Sequence, residues 1–292
     1  MRFQGVMPAL VTPLHADEMI NVPVLEQLIN DLLAQGADGF YIGGATGEGV
    51  ALPRQTREVL AEESVKILAG RKPAIVHIAS ADYAEAIALA KHAETCGADG
   101  ISAIPPLFYK YDKEDVYQYY KGLADAVGIP MMVYYNPAAG FAIDADFAAR
   151  LFEIDNVTAI KWTSPDYFGM MRLRDLTHGE MNIINGPDEM LLMGLSAGAD
   201  GGIGTTYNYQ METVRKVYDC FRAGDMAGAL EAQTQVARVV SMLFKYITLP
   251  VSKVILEGQG YSVGSCVRPM KQYTPEEKKA ILEDFRSAGL KI

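Results

Sequence analysis

Cysteine is scarce in this chain, and the three present, Cys96, Cys220 and Cys266, stand far apart. They form no C-x-x-C pair and their number is odd, which excludes a disulfide framework and fits a reducing, cytoplasmic setting. Histidine is scarce too. His15, His77, His92 and His178 show no ligand spacing, so neither a metal site nor a metal-dependent reaction is expected. Basic residues are in deficit: 26 Lys and Arg stand against 36 Asp and Glu, a formal net charge of -10. A surface of that sign repels nucleic acid and anionic membranes, which removes both as partners. No apolar run has the length of a membrane span. The opening segment Val6 to Thr12 lacks the long apolar stretch and small-residue cleavage site of a leader, and reads as a first strand. No low-complexity linker breaks the 292 residues, half of them hydrophobic, so one large core is expected.

What the chain does have is a repeat. Gly36-Ala37-Asp38-Gly39 recurs as Gly97-Ala98-Asp99-Gly100 and as Gly198-Ala199-Asp200-Gly201. Each copy follows a helical pattern and precedes a short apolar run. Glycine just past a helix, then a tight turn into a strand, is the physical sense of such a tetrapeptide. The spacing predicts strands over about 6–12, 39–42, 74–78, 100–104, 130–135, 157–163, 181–185 and 201–204. Helices are expected between them, over about 22–35, 53–69, 83–96, 113–127, 145–152, 168–176 and 189–197. Eight strands alternating with helices predict an α/β fold, a (β/α)8 TIM barrel. A doubly wound sheet alternates as well, but places a Gly-rich nucleotide loop after its first strand, where this chain reads Thr12-Pro13-Leu14-His15. From about Ala223 the strand signals stop and three helical patterns follow. The expected division is therefore a barrel over 1–222 and a C-terminal helical appendage over 223–292.

In such a barrel, chemistry belongs at the C-terminal ends of strands. The run Val157-Thr158-Ala159-Ile160-Lys161-Trp162-Thr163 is apolar and β-branched, yet ends in a lysine. Burying an unpaired ammonium is costly. Either Lys161 lies past the strand and reaches water along its stem, or desolvation makes it a neutral nucleophile able to form a Schiff base. Tyr135 ends the preceding strand and is either a proton relay or a packed aromatic. Gly43-Gly44-Ala45-Thr46-Gly47-Glu48-Gly49 lacks the ending of a P-loop; it is either a carboxylate cradle of backbone N–H groups or a tight turn. Asp188 and Glu189 either accept hydrogen bonds from a polyol or start a helix.

The motifs Gly43-Gly44-Ala45-Thr46-Gly47-Glu48, Tyr134-Tyr135-Asn136-Pro137, Ile160-Lys161-Trp162-Thr163 and Gly198 to Gly204, in that order, resemble the dihydrodipicolinate synthase / N-acetylneuraminate lyase family along the whole chain. Gly186-Pro187-Asp188-Glu189 and Gly204-Thr205-Thr206-Tyr207-Asn208 make the sialate lyase branch the closer likeness. The resemblance implies a cytoplasmic, homotetrameric Schiff-base aldolase without a cofactor, cleaving N-acetylneuraminate reversibly to pyruvate and N-acetylmannosamine. It implies Lys161 as the Schiff-base lysine and Tyr135 as the proton relay. Gly44, Ala45 and Thr46 would hold the carboxylate, and Thr163, Gly186, Asp188, Glu189 and Thr205 the sugar chain. Tyr109 is expected at a subunit interface near the site.

One position departs from the pattern: Ala45 stands where the family carries Ser or Thr, and so lacks a side-chain donor. Two alternatives follow. One is another pyruvate-dependent enzyme, a dihydrodipicolinate synthase or a 2-keto-3-deoxy sugar-acid aldolase. The other is a catalytically weak binding barrel.

Overall fold

Eight strands, buried at every position but Thr158, form the centre of the molecule: β1 (Gly5–Pro8), β2 (Phe40–Ile42), β3 (Ala74–His77), β4 (Gly100–Ala103), β5 (Met131–Tyr135), β6 (Val157–Trp162), β7 (Asn182–Asn185) and β8 (Gly201–Gly204). In this computed structural model, which describes residues 2–292, all neighbouring strands run parallel. β8 pairs with β1, and the last seam, between β1 and β2, closes through a single bridge from Ala9 to Tyr41. The result is the expected (β/α)8 barrel.

Between the strands lie α1 (Val22–Ala34), α2 (Arg54–Leu68), α3 (Tyr83–Thr95), α4 (Lys113–Asp125), α5 (Ala145–Phe152), α6 (Tyr167–Leu176) and α7 (Leu191–Ser196). After β8 come α8 (Tyr207–Arg222), α9 (Met226–Leu243), α10 (Thr248–Gly258) and α11 (Pro275–Ser287). No single helix among the described residues is long and apolar enough to cross a membrane.

The three repeats share one geometry. Gly36, Gly97 and Gly198 have φ of +95°, +89° and +98°, the left-handed region that a Cβ disfavours. The carboxylates of Asp38, Asp99 and Asp200 then accept backbone N–H bonds from Val6, Ala74 and Ile183, near the start of a neighbouring strand. Each tetrapeptide thus ends a helix and pins the bottom of the barrel.

Alternation divides each strand's side chains between two layers. Met7, Ala9, Tyr41, Ile75, Met132, Tyr134, Ala159, Ile184 and Ile203 fill the barrel interior. Their neighbours, such as Phe40, Ile42, Val133, Tyr135, Ile160 and Trp162, pack outward into the larger core under the helices.

Three expectations need correction. β1 stops at Pro8 instead of Thr12: Ala9 and Leu10 N–H groups still bond the Gly204 and Tyr41 carbonyls, but beyond them Val11 N–H bonds Asn208 Oδ1 and Leu14 N–H bonds the Val263 carbonyl. The expected helix over 189–197 is a one-turn 3-10 helix, Asp188–Met190, followed by α7. Helix α8 was not foreseen. It opens with aromatic and β-branched residues and is kinked at Gln210, where φ is -140° and ψ 36°.

Candidate active site

Lys161 is the fifth residue of β6 and is 5% exposed. Its side chain points into the barrel, with Nζ 4.1 Å from the centre of the Tyr134 ring and 5.3 Å from that of Tyr41. The two phenol faces stabilise a cation there without forming an ion pair. Snorkelling to water does not describe this lysine.

The inward tyrosine is Tyr134, not Tyr135. The β5–β6 register pairs Tyr134 with Lys161 and Tyr135 with Trp162, and paired residues share a face. Tyr135 therefore points away from Lys161 and packs its ring against Trp162, centroids 4.8 Å apart, in the layer under the helices. The expectation that Tyr135 stands beside Lys161 is corrected by one residue. Burial alone would raise the Tyr134 phenol. The Lys161 charge and the nearby Asn136 and Thr163 side chains outweigh it and hold the phenol below its ordinary value.

Two further interior groups were not singled out in the sequence. Tyr41 stands edge-on to Tyr134, centroids 5.9 Å apart, and donates its hydroxyl to Ser102 Oγ at 2.9 Å. His77, 3% exposed, completes a three-ring wall, 6.2 Å from both tyrosine rings. Burial first, then the charges of Arg57 and Lys161, push its imidazole down to about 3, so it stays neutral beside the lysine. Its only sequence signal was a histidine inside an apolar strand pattern.

The loop after β2 supplies Thr46, buried, whose Oγ1 lies 2.7 Å from Thr205 Oγ1 on the loop after β8. Gly44 is required there: a Cβ would overlap the Tyr41 ring. Ala45 is exposed on the same loop. Across the site, Gly186 lies against Thr163, and a Cβ on it would overlap both the Thr163 side chain and its Cα. Thr163 Oγ1 is buried and lacks a hydrogen-bond partner among the described residues.

Asp188 is buried, and its Oδ2 accepts the Thr206 N–H at 2.6 Å. Glu189 beside it is half-buried. Burial pushes the Asp188 carboxyl up to about 6; the Thr206 bonds work against that shift and the Glu189 charge adds to it. The structure thus gathers Lys161, Thr46, Thr163, Gly186, Asp188 and Thr205 on the loops and strand ends at the C-terminal face of the barrel, and replaces Tyr135 by Tyr134. Tyr109 sits apart, 71% exposed, its ring edge-on to that of Phe108, which is 93% exposed with φ of +75°.

A sequence profile described as the dihydrodipicolinate synthetase family matches residues 2–288. The chain belongs to that family. An N-acetylneuraminate lyase from Citrobacter koseri is 34% identical over 293 residues, covering 98% of each chain. Among solved structures, an N-acetylneuraminate lyase from Proteus mirabilis superposes with a TM-score of 0.94 at 30% identity, over 99% of this chain and 100% of that one. A prophage protein from E. coli, assigned to the dihydrodipicolinic acid synthase family and solved in complex with pyruvate, gives a TM-score of 0.94 at 25% identity, covering 99% of each chain. The family is one of lyase-like aldolases, which fits a barrel with a buried lysine at a strand end.

Proposed function

We propose that this chain is a Schiff-base aldolase that cleaves N-acetylneuraminate reversibly to pyruvate and N-acetylmannosamine. The observation that carries the reading is the Lys161 amine, inside the barrel and over the Tyr134 and Tyr41 rings. In the cleavage direction the neutral amine attacks the C2 carbonyl, the Tyr134 hydroxyl gives its proton to the departing oxygen, and water leaves, giving an iminium and the Tyr134 phenolate. The C3–C4 bond then breaks, its electron pair passes to the iminium as an enamine, and the C4 hydroxyl proton passes to the Tyr134 phenolate. C4 departs as the aldehyde. Tyr134 returns the proton to C3, and hydrolysis frees pyruvate and the amine. Gly44 and Ala45 N–H groups with the Thr46 hydroxyl hold the carboxylate. Thr163, Gly186, Asp188, Glu189 and Thr205 flank the hydroxylated tail. No metal or other cofactor takes part in this scheme. The assembly we infer is a homotetramer in the cytoplasm.

A second reading, an aldolase or synthase of the same mechanism for another aldehyde, is favoured by one observation. Asp188 Oδ2 is already bonded to the Thr206 N–H, which leaves it less free for a polyol. The two readings share the first chemical step, so one experiment tests both. Borohydride reduction with pyruvate, followed by peptide mass mapping, should place a pyruvyl adduct on Lys161 and none in Lys161→Ala. No adduct in the wild type overturns the aldolase mechanism. N-acetylneuraminate that is not cleaved by an adduct-forming enzyme overturns the substrate alone.

A further inference from the structure

We infer that the C-terminal helices are part of how the site is built, through two buried polar anchors that act on opposite ends of the substrate. The first anchor is on α10. Lys253 is 3% exposed; its Nζ lies 2.7 Å from Glu48 Oε1 and donates to the Ser265 carbonyl at 2.9 Å. Glu48 Oε2 accepts the Val267 N–H at 2.7 Å. Glu48 belongs to the loop after β2, two residues past Thr46, and its φ of +60° is a left-handed conformation that a side chain disfavours. The surroundings must therefore hold it. Thr12 supports the same loop by donating to the Gly47 carbonyl at 2.7 Å. The buried Cys266 thiol lies against this pair. Burial first, then the Glu48 charge, push it up to about 12.

The second anchor is on α9. Gln233 is 2% exposed and spends both ends of its amide on one turn. Its Oε1 accepts the Leu192 N–H at 2.8 Å and its Nε2 donates to the Asp188 carbonyl at 3.1 Å. That turn carries Asp188 and Glu189. Gln233 lies on α9 and Lys253 on α10, and they meet the turn and the loop through Asp188 and Glu48, so both are positioning residues.

Replacing a buried ion pair by apolar packing is often neutral or stabilising, so burying this one is poorly explained by stability. Its contribution is one fixed geometry: the α10 anchor sets the loop that faces the 2-keto acid, and the α9 anchor sets the turn that faces the aldehyde tail. This rests on the aldolase reading above, and it predicts a split that general destabilisation does not produce.

The test is steady-state condensation of pyruvate with N-acetylmannosamine, together with borohydride trapping of pyruvate over a range of concentrations. Glu48→Gln weakens the first anchor and should raise the pyruvate half-saturation about tenfold, leaving the aldehyde KM within about twofold. Gln233→Met removes the second and should do the reverse by about the same factor. Should Glu48→Gln not fold, Lys253→Arg, which keeps the charge and displaces the pair, takes its place with the same expected shift. For Gln233, Gln233→Glu serves in the same way. Variants that shift both constants together, or lower only the melting temperature, overturn the inference. Absence of any adduct in the wild-type chain overturns the aldolase reading beneath it instead.

Discussion

Two adjacent tyrosines show what a single residue of register decides. Tyr134 and Tyr135 have the same chemistry and the same strand, and only the pairing of Tyr134 with Lys161 turns the first toward the amine. Local sequence does not carry that information. The motif was legible, but the parity of β5 against β6 is set by long-range hydrogen bonds, and a register shift at Met131/Met132 moves it further out of view. The consequence is measurable. Tyr134→Phe should lower kcat about 10²- to 10⁴-fold, the usual contribution of a positioned acid–base group, whereas Tyr135→Phe should leave kcat within about threefold. The opposite ranking would restore Tyr135 as the relay. Asp188 gives a second prediction at this scale. Its folded carboxyl titrates near 6, above the ordinary 3.8, mainly through burial. Between about pH 4 and pH 6 the folded state keeps a proton that the unfolded state has lost. Asp188 therefore contributes stability below that window, which disappears as pH rises through it. Asp188→Asn removes the effect. The melting temperature of the variant relative to wild type should climb from pH 4 to pH 6 and then level off, a differential on the order of 2–3 kcal/mol. A difference that is flat across this range would show that the carboxyl titrates normally.

At the scale of elements, period and punctuation carried most of the fold. Apolar spacing placed the strands and all the helices between them, and the thrice-repeated Gly-Ala-Asp-Gly marked helix ends whose glycines do adopt positive φ. Helix α8 was hidden because Tyr207, Tyr209, Thr213 and Val214 weaken a helical signal that tertiary packing restores. The supports from α9 and α10 were hidden for a different reason: a glutamine and a lysine in a helical pattern look like solvated positions until the fold buries them. The loop after β2 was recognised as a candidate site, but its glycines have a use that sequence alone left open. At Gly44 an added Cβ meets the Tyr41 ring, and that ring lies under the Lys161 ammonium. Gly44→Ala should therefore cost about 1–3 kcal/mol of stability from overpacking and also lower the rate at which borohydride traps pyruvate on Lys161. Loss of stability with an unchanged trapping rate would mean that Tyr41 yields without moving the lysine.

For the whole molecule, the open question is what covers its apolar outer faces. Phe168 and Met171 on α6, Met193 on α7, and Met226 and Leu230 on α9 are all 40% exposed or more. Tyr167, Met171, Leu192, Met193, Met226 and Leu230 line one groove of about 500 Å³. Large apolar side chains gathered along one groove make it a candidate contact face between copies, and a net charge of -10 opposes such contact. The groove fits the homotetramer inferred above, in which burial of apolar area would outweigh a like-charge penalty that salt screens. Light scattering during gel filtration should then give four times the 31.8 kDa chain mass. Met193→Glu with Leu230→Glu would place two carboxylates in the covered face and should weaken association about 100-fold or more, leaving a smaller species at micromolar concentration. That species should still form the pyruvyl adduct, because β6 and the Lys161 environment lie within one chain. A wild-type protein that elutes as a monomer would overturn the tetramer, and a double variant that stays tetrameric would move the assembly surface away from α6, α7 and α9.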